Sequence, residues 1–200
     1  MKQIYRLTTN PAIYKEIPLD MEDIADQLNA DDHIMDFVYM GIKEKKLAGY
    51  WGPIKTVFQS PPAFPEAVKI PSICIWSGPN LVFSERAYAV FRLMLDDFGE
   101  FLPLNVSGYN YYLFNNLTDL SPDLSRSFHS EPDTQTIKSL VFGEEAREKL
   151  LFRSYWEGCS VCFCNEKFKN LCEEFDLEGL SFGTALLSAN SKQSRLINIG

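Results

Sequence analysis

Apolar positions along the chain change their spacing several times, and each change marks an element. "MKQIYRL" at the start reads as a strand. "LDMEDIADQLNA" follows with Met21, Ile24, Ala25 and Leu28 at helical spacing. Between residues 53 and 79 the pattern breaks, because six of the eleven prolines stand at 53, 61, 62, 65, 71 and 79. Proline fixes its own φ and disfavours helix in the residue before it, so this stretch predicts extended pieces and turns. "SICIWS" and "LVFS" are short strand-like runs on either side of "GPN". Ser84 then reads as the N-cap of "ERAYAVFRLMLDDFG", whose apolar stripe runs from Ala87 through Phe91 and Leu95 to Phe98, with Gly99 as a C-cap. "EFLPLNVSGYNYYLFNNL" predicts two strands around a "VSGYN" turn. "SPDLSRSFHSEPDTQT" predicts a loop, "IKSLVF" a strand, and "GEEAREKLLFRSY" a short helix or turn. "CSVCFC" is strand-like and leads to Asn165, which caps "EKFKNLCEEFD".

One internal likeness stands out. "VFSERAYAVFRLM" (82–94) and "FCNEKFKNLCEEF" (163–175) align at an offset of 81 residues. Apolar positions coincide at Ala87/Phe168, Val90/Leu171, Phe91/Cys172 and Met94/Phe175. Any two strand–cap–helix units share such a pattern; a duplicated βα unit is the alternative.

Composition narrows the class. At 200 residues with 46% hydrophobic and 14% aromatic content, the chain can bury a core without disulfides or metal. A net charge of −8 argues against nucleic acid or an anionic membrane surface as partner, since both need a basic patch. The first twenty residues hold no apolar run of signal-peptide length, and no stretch approaches a membrane span. Five cysteines without framework spacing fit free thiols in a reducing cytoplasm.

The candidate chemistry is sparse. Cys159, Cys162 and Cys164 offer at most three thiolates, and no second cysteine or histidine pair completes a four-ligand zinc site. Strand alternation sends Cys162 and Cys164 to one face and Val161 and Phe163 to the other. A redox CxxC pair normally opens a helix, whereas here the helix begins after Cys164. The expectation is buried, apolar thiols, with no metal, no cofactor and no catalytic residue. The two histidines are His33, among Asp31, Asp32 and Asp36, and His129, beside Ser127, Ser130 and Glu131. Neither has a nucleophile–base–acid set around it in sequence. "GYNYYLF" puts Tyr109, Tyr111 and Leu113 on one strand face and Asn110, Tyr112 and Phe114 on the other. That pattern suits an aromatic interface or a strand buried on both sides.

The order of segments beyond Trp51 carries a likeness. "SERAYAVF" (84–91), "LPL" (102–104), "YYLFN" (111–115), "LSPDLS" (120–125), "LFR" (151–153) and the stretch from Val161 to Phe182 resemble a bacterial immunity-protein family. Its type is a myxobacterial protein, first catalogued as a domain of unknown function. The resemblance spans roughly residues 50 to 182. "LSPDLS" lacks that family's Leu-Asp pair, and Asn165 replaces a common Asp cap. The resemblance implies an antidote of polymorphic-toxin or type VI secretion systems, and it supplies no catalytic residues.

The sequence therefore predicts an α+β domain with a mixed or antiparallel sheet and a few packed helices. Residues 1–50 form an N-terminal strand and helix region, 51–184 the core, and 185–200 a tail or edge element. The expected function is a cytoplasmic, non-enzymatic immunity protein that binds a basic toxin, as monomer or homodimer. The alternatives are a hydrolase using His129 or His33, and a ligand- or peptide-binding adaptor. Charge and aromaticity nominate Asp31, Asp32, Asp36, Asp96, Asp97, Glu100, Tyr109, Tyr111 and Tyr112 for the partner interface.

Overall fold

In chain order the elements are β1 (Ile4–Thr8), α1 (Met21–Leu28), α2 (Ile34–Val38), β2 (Ile54–Thr56), β3 (Ile73–Ser77), β4 (Asn80–Ser84), α3 (Glu85–Phe91), β5 (Gly99–Val106), β6 (Tyr109–Asn116), β7 (Phe128–His129), β8 (Ile137–Ser139), β9 (Leu151–Phe152), β10 (Phe163–Asn165), α4 (Glu166–Glu174) and β11 (Ser181–Thr184). This computed structural model describes residues 3–130 and 137–184. The segment expected as a tail, 185–200, lies outside the described residues.

The architecture is α+β, as the mixed periodicities imply. A five-stranded sheet has the order β2-β5-β6-β4-β3, parallel only between β2 and β5. A four-stranded antiparallel sheet has the order β11-β1-β10-β9, and β7 pairs with β8. The N-terminal strand β1 thus sits inside the second sheet, between strands more than 150 residues away.

Local chemistry explains most of the elements. Asp20 caps α1 by accepting from the Asp23 amide at 2.8 Å, and Asp23 returns the contact to the Asp20 amide at 3.3 Å, a capping box. Ser84 accepts from Ala87 N at 3.3 Å and Asn165 from Phe168 N at 3.0 Å, so both predicted caps form. The β5–β6 hairpin turns at Ser107 and Gly108, both at positive φ, the two-residue geometry whose twist matches paired strands. Two expectations need correcting. The segment expected as a loop from Ser121 holds the strand β7, paired with β8, within its described part. α3 stops at Phe91 and continues as turns, and Gly99 is the first residue of β5 rather than a cap. Its glycine identity comes from close approach: a Cβ there would lie 2.3 Å from the Asn115 carbonyl of β6.

The five-stranded sheet is buried on both faces. Val82, Leu102, Leu104 and Leu113 point to one side and meet Ile24, Phe37 and Leu47 beneath α1 and α2. Leu81, Phe83 and Phe114 point to the other side. There they share a core with Ala87 and Phe91 of α3, Phe168 and Cys172 of α4, Leu7 and Cys164 of the four-stranded sheet, and Cys162 just before β10. The rings of Phe91 and Phe168 stack at 4.6 Å. Val161 and Phe163 face away, into a third cluster with Phe152 and Ala146. The alternation expected of the cysteine strand is therefore present, although regular pairing begins only at Phe163.

Candidate partner-binding surface

Between Glu16 and Ile42 the chain carries eight carboxylates and no lysine or arginine, matching the net charge of the whole protein. Seven of the eight are exposed and Asp36 is half-buried. Ile24 and Ala25 face the core, which leaves Glu22, Asp23 and Asp26 of α1 in solvent, and Asp31 and Asp32 are exposed in the turn before α2. Sequence reasoning reached Asp31, Asp32 and Asp36 but not the acids of α1. The signal was present as a charge block, readable by counting sign along the chain.

Whereas the side-chain contacts of Asp20 and Asp23 stay within the α1 cap, Asp36 reaches across to a later segment of the chain. Its Oδ2 accepts from Lys45 Nζ at 2.5 Å and from the Tyr50 hydroxyl at 3.2 Å, and lies 3.2 Å from His33 Nδ1. The Lys45 contact is the main reason its carboxyl titrates below its usual range. Burial, followed by the Asp36 charge, pushes the Tyr50 phenol up to about 12. His33 stacks flat on Tyr50, with ring centroids 4.3 Å apart. Beside this cluster a cleft of about 470 Å³ opens between Leu28, Ala30, Asp31, Asp32, His33 and Tyr50. A cleft of similar size, about 480 Å³, lies between Met94, Phe98 and α4, but Arg147, Lys167, Glu166 and Glu174 give it a rim of both signs.

The remaining nominated residues are dispersed. Asp96 and Asp97 are exposed in the turns after α3. Glu100 is turned inward: its carboxylate accepts from Leu47 N at 2.6 Å, Ala48 N at 3.2 Å and Asn115 Nδ2 at 2.9 Å, which fixes the 47–48 turn. Tyr109 is exposed at the hairpin tip. Tyr111 packs edge-on against Phe58, and Tyr112 stacks on Tyr88 at 3.7 Å. Beyond its tip, then, the tyrosine strand is a two-sided core strand. His129 stacks on Trp156 at 4.2 Å, far along the chain from the acidic block. Among the described residues, no group of three or more His, Cys, Asp or Glu side chains is placed to hold a metal ion, and no helix is long and apolar enough to cross a membrane.

One residue that sequence reasoning missed ties the acidic surface to the core. Arg153, just past β9, is fully buried. Its guanidinium donates to the carbonyl of Asn116 at the end of β6 and, at 3.2 Å, to the carbonyl of Ile42 just beyond α2. The Tyr155 hydroxyl donates to the same Ile42 carbonyl. Asp119 lies close enough to be affected: burial raises its carboxyl, and the Arg153 charge opposes that rise. A buried charge needs several donors satisfied, and these carbonyls supply acceptors. In "LLFRS" nothing distinguishes this arginine from an exposed one.

No protein-family model matches the chain, and no curated protein matches it.

Proposed function

We propose that the protein is an immunity protein, which neutralises a cognate secreted bacterial toxin by direct contact and without chemistry of its own. The observation that carries this reading is the run of eight carboxylates without lysine or arginine from Glu16 to Ile42, with exposed acids on α1 and with Asp31 and Asp32 lining a cleft. Such a surface steers and complements a basic protein, as many nucleases are. The sequence resemblance supports the reading in a second way. Its segments coincide with α3, β5, β6, β9 and the β10–α4–β11 unit, while the acidic block lies outside it. A shared scaffold with a separate, strongly charged surface is what a set of antidotes against different toxins requires.

The experiment is co-expression with the toxin encoded by the neighbouring gene. Protection and a stable complex, weakened by Asp31→Lys with Asp32→Lys and by added salt, are expected. Absence of complex and protection overturns the reading. A hydrolase based on His33 is the competing interpretation, favoured by the 3.2 Å contact from its ring nitrogen to Asp36. Replacing His33 and His129 by alanine separates the two: the antidote keeps its protection, and the hydrolase loses its activity.

A further inference from the structure

Beside the acidic surface, the fold leaves large apolar side chains uncovered. Met35 and Val38 stand one turn apart on α2, with 53% and 45% of their surface exposed. Ile42 follows in the next turn at 42%, and Tyr155, whose hydroxyl holds the Ile42 carbonyl, is 50% exposed. Phe37 of α2 is wholly enclosed, and Met40, just past the helix, nearly so. The exposure of the strip therefore follows from which way α2 faces, and not from loose packing. Arg153 and Tyr155 hold its far end from the core side through the Ile42 carbonyl. An apolar strip with exposed Asp31 and Asp32 before it in the chain and exposed Lys43, Lys45 and Lys46 after it has the layout of a docking site with an apolar centre and a charged surround.

We infer that Met35, Val38, Ile42 and Tyr155 form the apolar anchor for an amphipathic basic segment of a protein partner. The segment's aliphatic or aromatic side chains cover the strip, and its lysines and arginines meet Asp31, Asp32 and the acids of α1. Charge complementarity selects this occupant on the α1 side of the strip, where Asp31, Asp32 and the acids of α1 are exposed, whereas Lys43, Lys45 and Lys46 are exposed beyond Ile42. The inference rests on the partner-binding reading above and refines it: charge sets encounter, and the strip sets residence time.

The test uses the full chain and two synthetic 18-residue peptides of equal charge, one an amphipathic Leu/Lys helix and the other Lys/Ser. Binding is measured by calorimetry, with amide shifts in NMR locating the site. The Leu/Lys peptide is expected to bind at least about tenfold more tightly, with shifts centred on residues 35–42, because each covered side chain adds apolar burial. Met35→Ser with Val38→Ser and Ile42→Ser should remove that preference and leave Lys/Ser binding unchanged. These are surface changes, and a thermal midpoint checks that the variant folds. Val38→Asp is the second variant. It adds attraction for a cation yet should weaken Leu/Lys binding, so a gain in affinity overturns the inference. Equal binding of the two peptides, or indifference to the triple substitution, overturns it as well. So does a dimer in sedimentation that the triple variant dissolves, which would assign the strip to a second copy. Protection from toxin is scored separately: its loss in the wild type removes the antidote reading, while a retained Leu/Lys preference keeps the strip as a docking site.

Discussion

The two main sheets repeat one plan with different residues. In the first, β5-β6-β4-β3 is antiparallel throughout, and β4 runs into the Ser84-capped α3. In the second, β11-β1-β10-β9 is antiparallel throughout, and β10 runs into the Asn165-capped α4. At the offset of 81 residues, inward-facing Leu81 and Phe83 correspond to Cys162 and Cys164, and outward-facing Val82 corresponds to Phe163. On the helices the sizes reverse, with Ala87 matching Phe168 and Phe91 matching Cys172. Where one unit places bulk the other places a small side chain, and both face a single shared core. Close packing demands this complementarity when two similar surfaces meet. It also gives the cysteines of "CSVCFC" a steric reason, since a small apolar group is what their positions need.

The largest effect should come from the contact between the units. Phe91→Ala and Phe168→Ala should each destabilise the protein by about 3–5 kcal/mol in urea denaturation. Because the rings stack, the double variant should fall short of the sum by about 1 kcal/mol. Strict additivity would mean that the two helices are stabilised independently. Next in size are the caps. Asn165 is nearly buried, and besides capping α4 it donates to the Arg147 carbonyl at 2.8 Å, so Asn165→Ala should cost about 2 kcal/mol. Ser84→Ala loses the cap alone, and about 1 kcal/mol is expected. Equal losses would remove this difference between the units.

The smallest effect at neutral pH should be Cys162→Val with Cys164→Val, a near-conservative change of volume that should cost below about 1 kcal/mol. Its interest lies at alkaline pH. Burial pushes the Cys162 and Cys164 thiols up, and Cys172 to about 12. The unfolded chain releases these protons near pH 9, while the folded chain keeps them. The unfolded state then binds fewer protons, and stability falls as pH rises from about 9 toward 12. Four of the five cysteines belong to the second unit, so that unit carries most of the sensitivity. The denaturation midpoint of the double Val variant should fall less steeply over this window; parallel curves would show that the thiols do not contribute.

These contrasts bear on what the sequence discloses. Caps, the Ser107–Gly108 turn and the faces of the cysteine strand are legible because each depends on a few neighbouring residues. The end of α3 is less so: the stripe continues through Leu95 and Phe98 although the helix stops at Phe91, because turns can bury the same side chains. Pairing of β1 with β10 and β11 leaves no local mark at all. For the candidate surface, the charge block is visible in the sequence, and the strip is not. Met35, Val38 and Ile42 look like core residues until the orientation of α2 is known. Glu100 looks like a free surface acid, and only its contact with a turn 53 residues earlier shows otherwise.

The placement of β1 sets an order of events for a growing chain. Strands β3 to β6 span residues 73–116 and can pair as soon as that stretch exists. β1 is synthesised first, yet its neighbours are residues 163–165 and 181–184, so it must wait for almost the whole described chain. Contacts of such long range close slowly, because a large loop must be ordered before any pairing energy returns. In refolding, protection of the β5–β6 amides should therefore appear before that of Tyr5 to Leu7, and the second unit should assemble around a strand that has been unpaired the longest.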